Sequence, residues 1–262
     1  MSWRDLRLGY PVNDRLADGG TAVGSFVQLG SPEVADICGH AGCAFLLIDL
    51  EHSATSWSQL GALIVSAEAA ETTPIVRVSN ATRDLITRVL DLGAHGVMVA
   101  QVDDAATASA VVAATRYGPN GTRGSAGGRG SGWGMRMTAA EYQDAANAST
   151  FVSVQVENRR SVDAVDEIAA VEGLDCVFVG LSDLTSDLGI LGQWDHPDLD
   201  AALGRVHAAC DARGVAVGYP ALDVAMARKL FDRGGRLIAT GDTGQLARAM
   251  SSFVTEVQSF SE

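Results

Sequence analysis

Short apolar runs alternate with helix-period stretches along almost the whole of this chain. The runs are AVGSFVQL (22–29), AFLLIDL (44–50), PIVRV (74–78), GVMVA (96–100), FVSVQVE (151–157), CVFVG (176–180), VAVGY (215–219) and LIAT (237–240). Between them lie 3.6-period stretches such as SWSQLGALIVSAEAA (56–70), RDLITRVLDLG (83–93) and DVAMARKLFDRGG (223–235). Several runs are apolar throughout and not alternating, the pattern of parallel strands covered on both faces. Eight such strands interleaved with helices over 262 residues predict an α/β fold of the closed (β/α)₈ TIM-barrel type. A doubly wound open sheet is the competing architecture. Against it, no GxGxxG or GxxxxGKS follows the first strand. No Gly-, Ser- or Pro-rich linker divides the chain, so residues 1–262 are expected to form a single barrel domain.

Charge narrows the partners. With 19 Lys+Arg against 32 Asp+Glu the net charge is −13, which removes the electrostatic drive for nucleic-acid binding or for adhesion to anionic membranes. No apolar run reaches the roughly 18 residues of a membrane-spanning helix. The opening MSWRDLRLGY mixes charge into the region a signal peptide keeps apolar, so the expected location is the cytoplasm. Cys38, Cys43, Cys176 and Cys210 show no CxxC spacing and read as free thiols.

Residues 116–136, RYGPNGTRGSAGGRGSGWGMR, break the rhythm with eight glycines. A stretch this long without its own periodicity is functional or mobile in most compact domains. It admits two readings. One is a flexible lid over the barrel mouth that offers Arg123, Arg129 and Arg136 to an anionic substrate; the other is an ordered structural or subunit-contact loop.

In a barrel the chemistry sits at the C-terminal ends of the strands. There this sequence places Asp49, Glu51 and His52 after the second strand, Arg77 on the third, Gln155 and Glu157 on the fifth, and Asp183 after the sixth. Gln155 and Glu157 are two apart and so point to the same side. Glu157 and Asp183 can hold a divalent cation through oxygen ligands and leave positions open for water and substrate, as suits Mg²⁺ or Mn²⁺. Arg77 supplies a fixed positive fork for a carboxylate or a developing enolate oxygen. His52, three residues after Asp49, can be oriented by that carboxylate and exchange protons near neutral pH.

The segments LLIDLEHS (46–53), IVRVS (75–79), TRVLDLGAHGVMV (87–99), VSVQVEN (152–158) and VFVGLSDLTSDLG (177–189) resemble, in order and spacing, the metal-dependent pyruvate aldolases of the HpcH/HpaI aldolase family. The resemblance runs from about residue 20 to residue 250. It implies a phosphoenolpyruvate/pyruvate-type barrel that reversibly cleaves a 4-hydroxy-2-oxo acid to pyruvate and an aldehyde through a pyruvate enolate held on the metal. Glu157 and Asp183 would be the metal ligands for Mg²⁺, Mn²⁺ or Co²⁺, with no organic cofactor. Gln155 and the backbone N–H groups at Leu181 and Ser182 would receive the substrate, and Arg77 would steady the enolate. His52 with Asp49 would form the acid/base dyad, working through a metal-activated water, and Asp91 would act across a subunit interface. The partners implied are a small 2-oxo acid, an aldehyde, and further copies of the chain: a dimer-based homo-oligomer, typically a hexamer, with the last helix exchanged between subunits. Gly118, Leu181 and Phe26 stand where the family often carries proline, proline and tryptophan, which leaves the aldehyde open.

A citrate-lyase-β-like lyase or an oxaloacetate decarboxylase would use the same carboxylate pair, and a non-catalytic metabolite-binding barrel stands as a third reading. A Schiff-base mechanism needs a lysine at a strand end. The only lysine, Lys229, falls inside a helical stretch.

Overall fold

The computed structural model describes residues 12–17 and 19–261. Its first half runs α1 (Val12–Ala17), β1 (Ala22–Val27), α2 (Pro32–His40), β2 (Phe45–Asp49), α3 (Trp57–Ala69), β3 (Thr73–Val78), α4 (Arg83–Asp91), β4 (Gly96–Val99) and α5 (Ala105–Thr115). It continues with α6 (Ala139–Ser149), β5 (Phe151–Val156), α7 (Arg159–Asp163), α8 (Val165–Ala169), β6 (Cys176–Val179) and α9 (Leu181–Asp187). The last elements are α10 (Pro197–Asp211), β7 (Ala216–Pro220), α11 (Val224–Asp232), β8 (Leu237–Gly241) and α12 (Asp242–Gln258). All eight expected strands are present, each within two residues of its predicted bounds.

The strands form a closed parallel barrel in sequence order. Closure is by β8 on β1, with Ala22 opposite Leu237 and Phe26 opposite Gly241. That pairing excludes the open doubly wound sheet. The two-residue repeat of each strand then sorts its side chains. Leu46, Ile48, Val76, Val97, Val154 and Val177 face outward and pack under the helices. Phe45, Leu47, Ile75, Met98, Phe151 and Phe178 fill the barrel itself. Large rings inside a narrow barrel need small residues opposite. A Cβ on Gly218 would lie 2.6 Å from the Phe178 ring, and one on Gly24 2.3 Å from the Phe45 carbonyl oxygen.

The inward parity matters for the site. Counting on from Leu47, Ile75, Ser153 and Phe178 by two, the next inward positions are Asp49, Arg77, Gln155 and Gly180, one layer above the apolar plug. Helix starts are set locally. Ser56 and Gln59 form a capping box at α3, Thr138 and Glu141 another at α6, and Asp104 and Asp223 cap α5 and α11. Each cap satisfies first-turn N–H groups that would otherwise lack partners.

The glycine-rich segment does not cover the mouth. Arg123 donates to Asp91 at 3.0 Å, and the Arg123 guanidinium lies 4.5 Å over the Tyr117 ring. Arg129 forks onto Glu68 of α3. Both acidic residues close helices that run back toward the N-terminal ends of the strands. The segment is therefore an ordered structure at the end of the barrel opposite the mouth, and two of the three arginines expected to meet substrate are spent on ion pairs. Among the described residues no helix is long and apolar enough to cross a membrane.

Candidate active site

The mouth encloses a cavity of about 400 Å³ whose walls include Phe26, His52, Arg77, Gln155, Asp183 and Arg248. At its centre Asp49 and Arg77 sit opposite one another in the β2–β3 register. Arg77 grips Asp49 with two parallel bonds, Nε to Oδ1 at 2.9 Å and Nη2 to Oδ2 at 2.6 Å. The Arg77 guanidinium also lies 4.7 Å over the Phe26 ring. Asp49 further accepts from the Gln28 amide at 3.0 Å and from the backbone N–H of Glu51 at 2.9 Å. Burial works against the Asp49 charge, but the Arg77 fork and these donors hold its carboxyl below the usual range. Arg77 is thus fixed on one edge, while its Nη1 edge makes no bond to Asp49.

This arrangement alters the expected dyad. Asp49 accepts from the backbone N–H of His52 at 3.2 Å, while both its oxygens are occupied by Arg77. The His52 ring instead approaches Glu51, with Nε2 3.8 Å from Oε2, and stands mostly in solvent. Asp49 positions the turn that carries His52, and Glu51 is the carboxylate beside its ring. The sequence placed Glu51 at the strand end without giving it a role.

Glu157 is almost fully buried just past β5. Its Oε1 accepts from the backbone N–H of Gln101 at 2.7 Å and its Oε2 from the Gln155 amide at 3.1 Å. Gln101 reaches it from a left-handed backbone, φ 55°, a conformation few non-glycine residues adopt. Burial pushes the Glu157 carboxyl up to about 7; the Gln101 N–H opposes this, while Asp183 and Glu51 add repulsion. Glu51 is raised as well, by burial first, against the pull of Arg77 and His52. Gly180 permits the approach, since a Cβ there would lie 2.5 Å from Glu157 Oε2. Leu181, Ser182 and Asp183 form the first turn of α9 beside this group, and all three line the cavity.

One sequence-predicted residue is elsewhere. Asp91 ends α4 at the far end of the barrel, bound to Arg123. A barrel helix runs antiparallel to its strands, so its last residue cannot reach the mouth of its own chain. Lys229 lies on the outer helix α11, paired with Asp195 at 2.8 Å.

Glu51, Glu157 and Asp183 gather near a single tightly paired arginine, so the site carries more negative than positive charge. No three His, Cys, Asp or Glu side chains among the described residues form a closed metal cage. A cation here would have two hard oxygen donors, Glu157 and Asp183, with its remaining positions open. The Gln155 Oε1 atom, buried without a hydrogen-bond partner, adds an unmet acceptor beside them. The residues present fit a divalent ion of the Mg²⁺ or Mn²⁺ kind.

Residues 22–249 match the family model described as HpcH/HpaI aldolase/citrate lyase. The chain belongs to this family. The hydroxypyruvate/pyruvate aldolase of Paraburkholderia phytofirmans (strain DSM 17436 / LMG 22146 / PsJN) is 39% identical over 259 residues, covering 95% of this chain and 98% of that one. The 4-hydroxy-2-oxovalerate aldolase of Novosphingobium aromaticivorans is 37% identical, covering 88% of each. Among solved structures, an HpcH/HpaI aldolase/citrate lyase family protein from Burkholderia cenocepacia J2315 superposes with TM-score 0.89 at 39% identity, over 94% of this chain and 98% of that one. The HpcH/HpaI aldolases are carbon–carbon lyases, and this chain is an enzyme of that class.

Proposed function

We propose that this protein is a divalent-metal-dependent aldolase that reversibly cleaves a 4-hydroxy-2-oxo acid to pyruvate and an aldehyde. The observation that carries this reading is the excess of carboxylates around Glu157, buried and raised to about 7 beside one fixed arginine. Glu157 and Asp183 would hold the cation, whose chemistry there is to polarise the 2-oxo group and draw electron density toward it. The chain's own groups do the rest. Arg77, held by Asp49, offers its outer N–H groups to the oxygen on which enolate charge develops. Gln155 and the first-turn N–H groups at Leu181 and Ser182 orient the 2-oxo acid. His52, with Glu51 beside it, takes the 4-hydroxyl proton through a water. The C3–C4 bond then breaks, its electron pair stays with the pyruvyl half, the aldehyde leaves, and a proton added at C3 completes pyruvate.

Assembly is part of the proposal. Along α12, Leu246, Met250, Phe253, Val254 and Val257 are all exposed, and their spacing makes one apolar stripe. Val23 on the outer face of β1 is exposed too, at 54%. An exchanged helix in a dimer-based homo-oligomer would cover both, and bring Asp91 against a neighbouring subunit. The four free thiols suit the reducing cytoplasm.

The test is metal-dependent aldol turnover. Pyruvate release from a 4-hydroxy-2-oxo acid should stop in EDTA and return with Mg²⁺, Mn²⁺ or Co²⁺. Full turnover in excess chelator would overturn the assignment.

A further inference from the structure

The four cysteines are free, and two of them meet. Helix α2 ends in a left-handed turn. Gly42 has φ 93°, its N–H donates to the Gly39 carbonyl at 2.9 Å, and the Cys43 N–H donates to the Cys38 carbonyl at 3.1 Å. This pair of bonds is the Schellman arrangement, which folds the side chain just past a helix onto the side chain five residues earlier. An apolar contact often fills that place; here both positions are cysteine. The backbone bond between them keeps their Cα atoms within about 7 Å, inside the reach of a disulfide. The side chains close the gap further. The Cys43 thiol donates to the Cys38 sulfur, and Ser25 on the outer face of β1 lies within hydrogen-bond reach of the same atom. Gly39 presses α2 onto α3, where a Cβ would lie 2.4 Å from the Ala70 Cβ, and both cysteines rest on the outer core layer. His40, Ala41 and Gly42 leave the turn itself open to solvent.

We infer that Cys38 and Cys43 form a reversible dithiol–disulfide site that hydrogen peroxide oxidises, with Cys38 the attacking sulfur and Cys43 the resolving one. The inference stands apart from the aldolase reading and from any assembly, because both sulfurs belong to one turn of one chain. Their contact sets the order of attack. Donation from the Cys43 thiol brings the Cys38 thiol down to about 7, against burial and the charge of Asp242, and the same bond pushes Cys43 up. The thiolate is the nucleophile. Its sulfur attacks one peroxide oxygen, the O–O bond breaks, and hydroxide leaves and takes a proton as water, so Cys38 becomes a sulfenic acid. Cys43, giving up its proton, then attacks that sulfur; the S–S bond forms, the S–O bond breaks, and the second oxygen leaves as water. Two thiols have given two electrons to one peroxide, which has become two waters. A dithiol reductant reverses the bond by exchange. Only four residues separate the cysteines, so the closed loop takes little freedom from the unfolded chain. The bond is a chemical sink more than a brace, and it spares Cys38 the irreversible steps beyond sulfenic acid. The other two thiols are set apart. Cys176 lies inside the barrel and Cys210 in the layer outside it, and burial pushes both up.

The experiment treats the purified, reduced protein with a small excess of hydrogen peroxide, then unfolds it and counts the thiols that still alkylate. Wild type should fall from four thiols to two, and dithiothreitol should restore all four. Cleavage before aspartate releases residues 36–48 with both cysteines. After oxidation that peptide should weigh two hydrogens less and resist alkylation until it is reduced. Cys43→Ser should stop the reaction halfway and leave Cys38 as a sulfenic acid that dimedone labels. Cys38→Ser should lose the reaction at Cys43 altogether. Four thiols still open to alkylation in oxidised wild type, or a link in another peptide or between two chains, would overturn the pairing. Dimedone on Cys43 in Cys38→Ser, with none on Cys38 in Cys43→Ser, would overturn the order of attack.

Discussion

Glu68, half-buried, and Glu157, buried, lie at opposite ends of the same barrel, and their carboxyls have moved in opposite directions. Burial disfavours the charge on both. At Glu68 the bonds to His95 at 3.0 Å and to Arg129 overcome it and bring the carboxyl down to about 2. At Glu157 the donors are two neutral N–H groups, and the repulsion of Asp183 and Glu51 stands against a weaker pull from Arg77. A matched ion cluster inside a protein is a fastening: here it ties the glycine-rich segment to α3 and to the entry of β4. An unmatched one raises the energy of the folded chain unless a cation joins it. The matched and the unmatched carboxylate lie at different ends of one fold, the division barrel architecture allows between stability and chemistry.

Removing the unmatched carboxylate gives the largest expected effect. Glu157→Gln should abolish metal-dependent aldol turnover and weaken Mn²⁺ binding beyond the roughly 10 to 100-fold typical of outer-shell partners. The metal-free protein should meanwhile become more stable, by about 1 kcal/mol, as is common when a strained functional group is neutralised. Geometry permits this gain. The new amide oxygen can keep the Gln101 N–H, and a flip of the Gln155 amide would give its orphaned Oε1 a donor. Calorimetry of the apo-protein with a Mn²⁺ titration checks both halves. A variant that is less stable and still binds Mn²⁺ would show that the cluster at the mouth is a fastening too.

Next in size is the division within the mouth itself. His52→Ala should slow aldol cleavage by roughly 10² to 10⁴-fold, the range for a lost general base. Decarboxylation of oxaloacetate generates the same enolate without taking a hydroxyl proton, so it should suffer far less. The motive is placement: His52 stands exposed at the rim beside Glu51, whereas Arg77 is sealed below against Asp49. Arg77→Ala should impair both reactions. Equal loss of both activities in His52→Ala, with Mn²⁺ affinity intact, would refute the split.

Much of this was legible before any coordinates. Parallel strands covered on both faces are largely apolar, so all eight runs stood out against the helical stretches between them, and the two-residue spacing of Gln155 and Glu157 put both on one side. Pairings were less legible, because spacing says where a side chain starts and not which neighbour outbids the rest. Asp49 was assigned to the His52 ring, but the adjacent strand offers it the Arg77 fork directly opposite. The glycine-rich segment stayed open between a lid and an ordered loop because the anchors that decide for the ordered loop, Glu68 and Asp91, lie on helices distant in sequence. Arg248 left no signal at all, since only the start of α12 on β8 brings it to the mouth.

The smallest effects belong to the fastened end, and they carry a pH signature. Glu68→Gln removes one charge from the cluster with His95 and Arg129. Arg129 is 30% exposed, so the loss should fall below the 3–5 kcal/mol of a fully buried broken pair, at about 2 kcal/mol near neutral pH. The sign with pH follows from proton counting. Between about 4.5, where an unfolded glutamate titrates, and about 2, where Glu68 titrates in the fold, the unfolded chain binds the extra proton. The stabilisation is therefore complete above about 4.5 and drains away as pH falls toward 2, by at most about 1.4 kcal/mol per pH unit. Urea unfolding at pH 7, 5 and 3.5 should show wild type and Glu68→Gln converging as acid is added. Trypsin should cut the variant faster at Arg123 and Arg129 at neutral pH, where the fastening matters, while Mn²⁺-dependent turnover of the folded protein persists. A gap that stays constant from pH 7 to pH 3.5 would mean that Glu68 keeps an ordinary carboxyl, and the contrast between the two ends of the barrel would then rest on Glu157 alone.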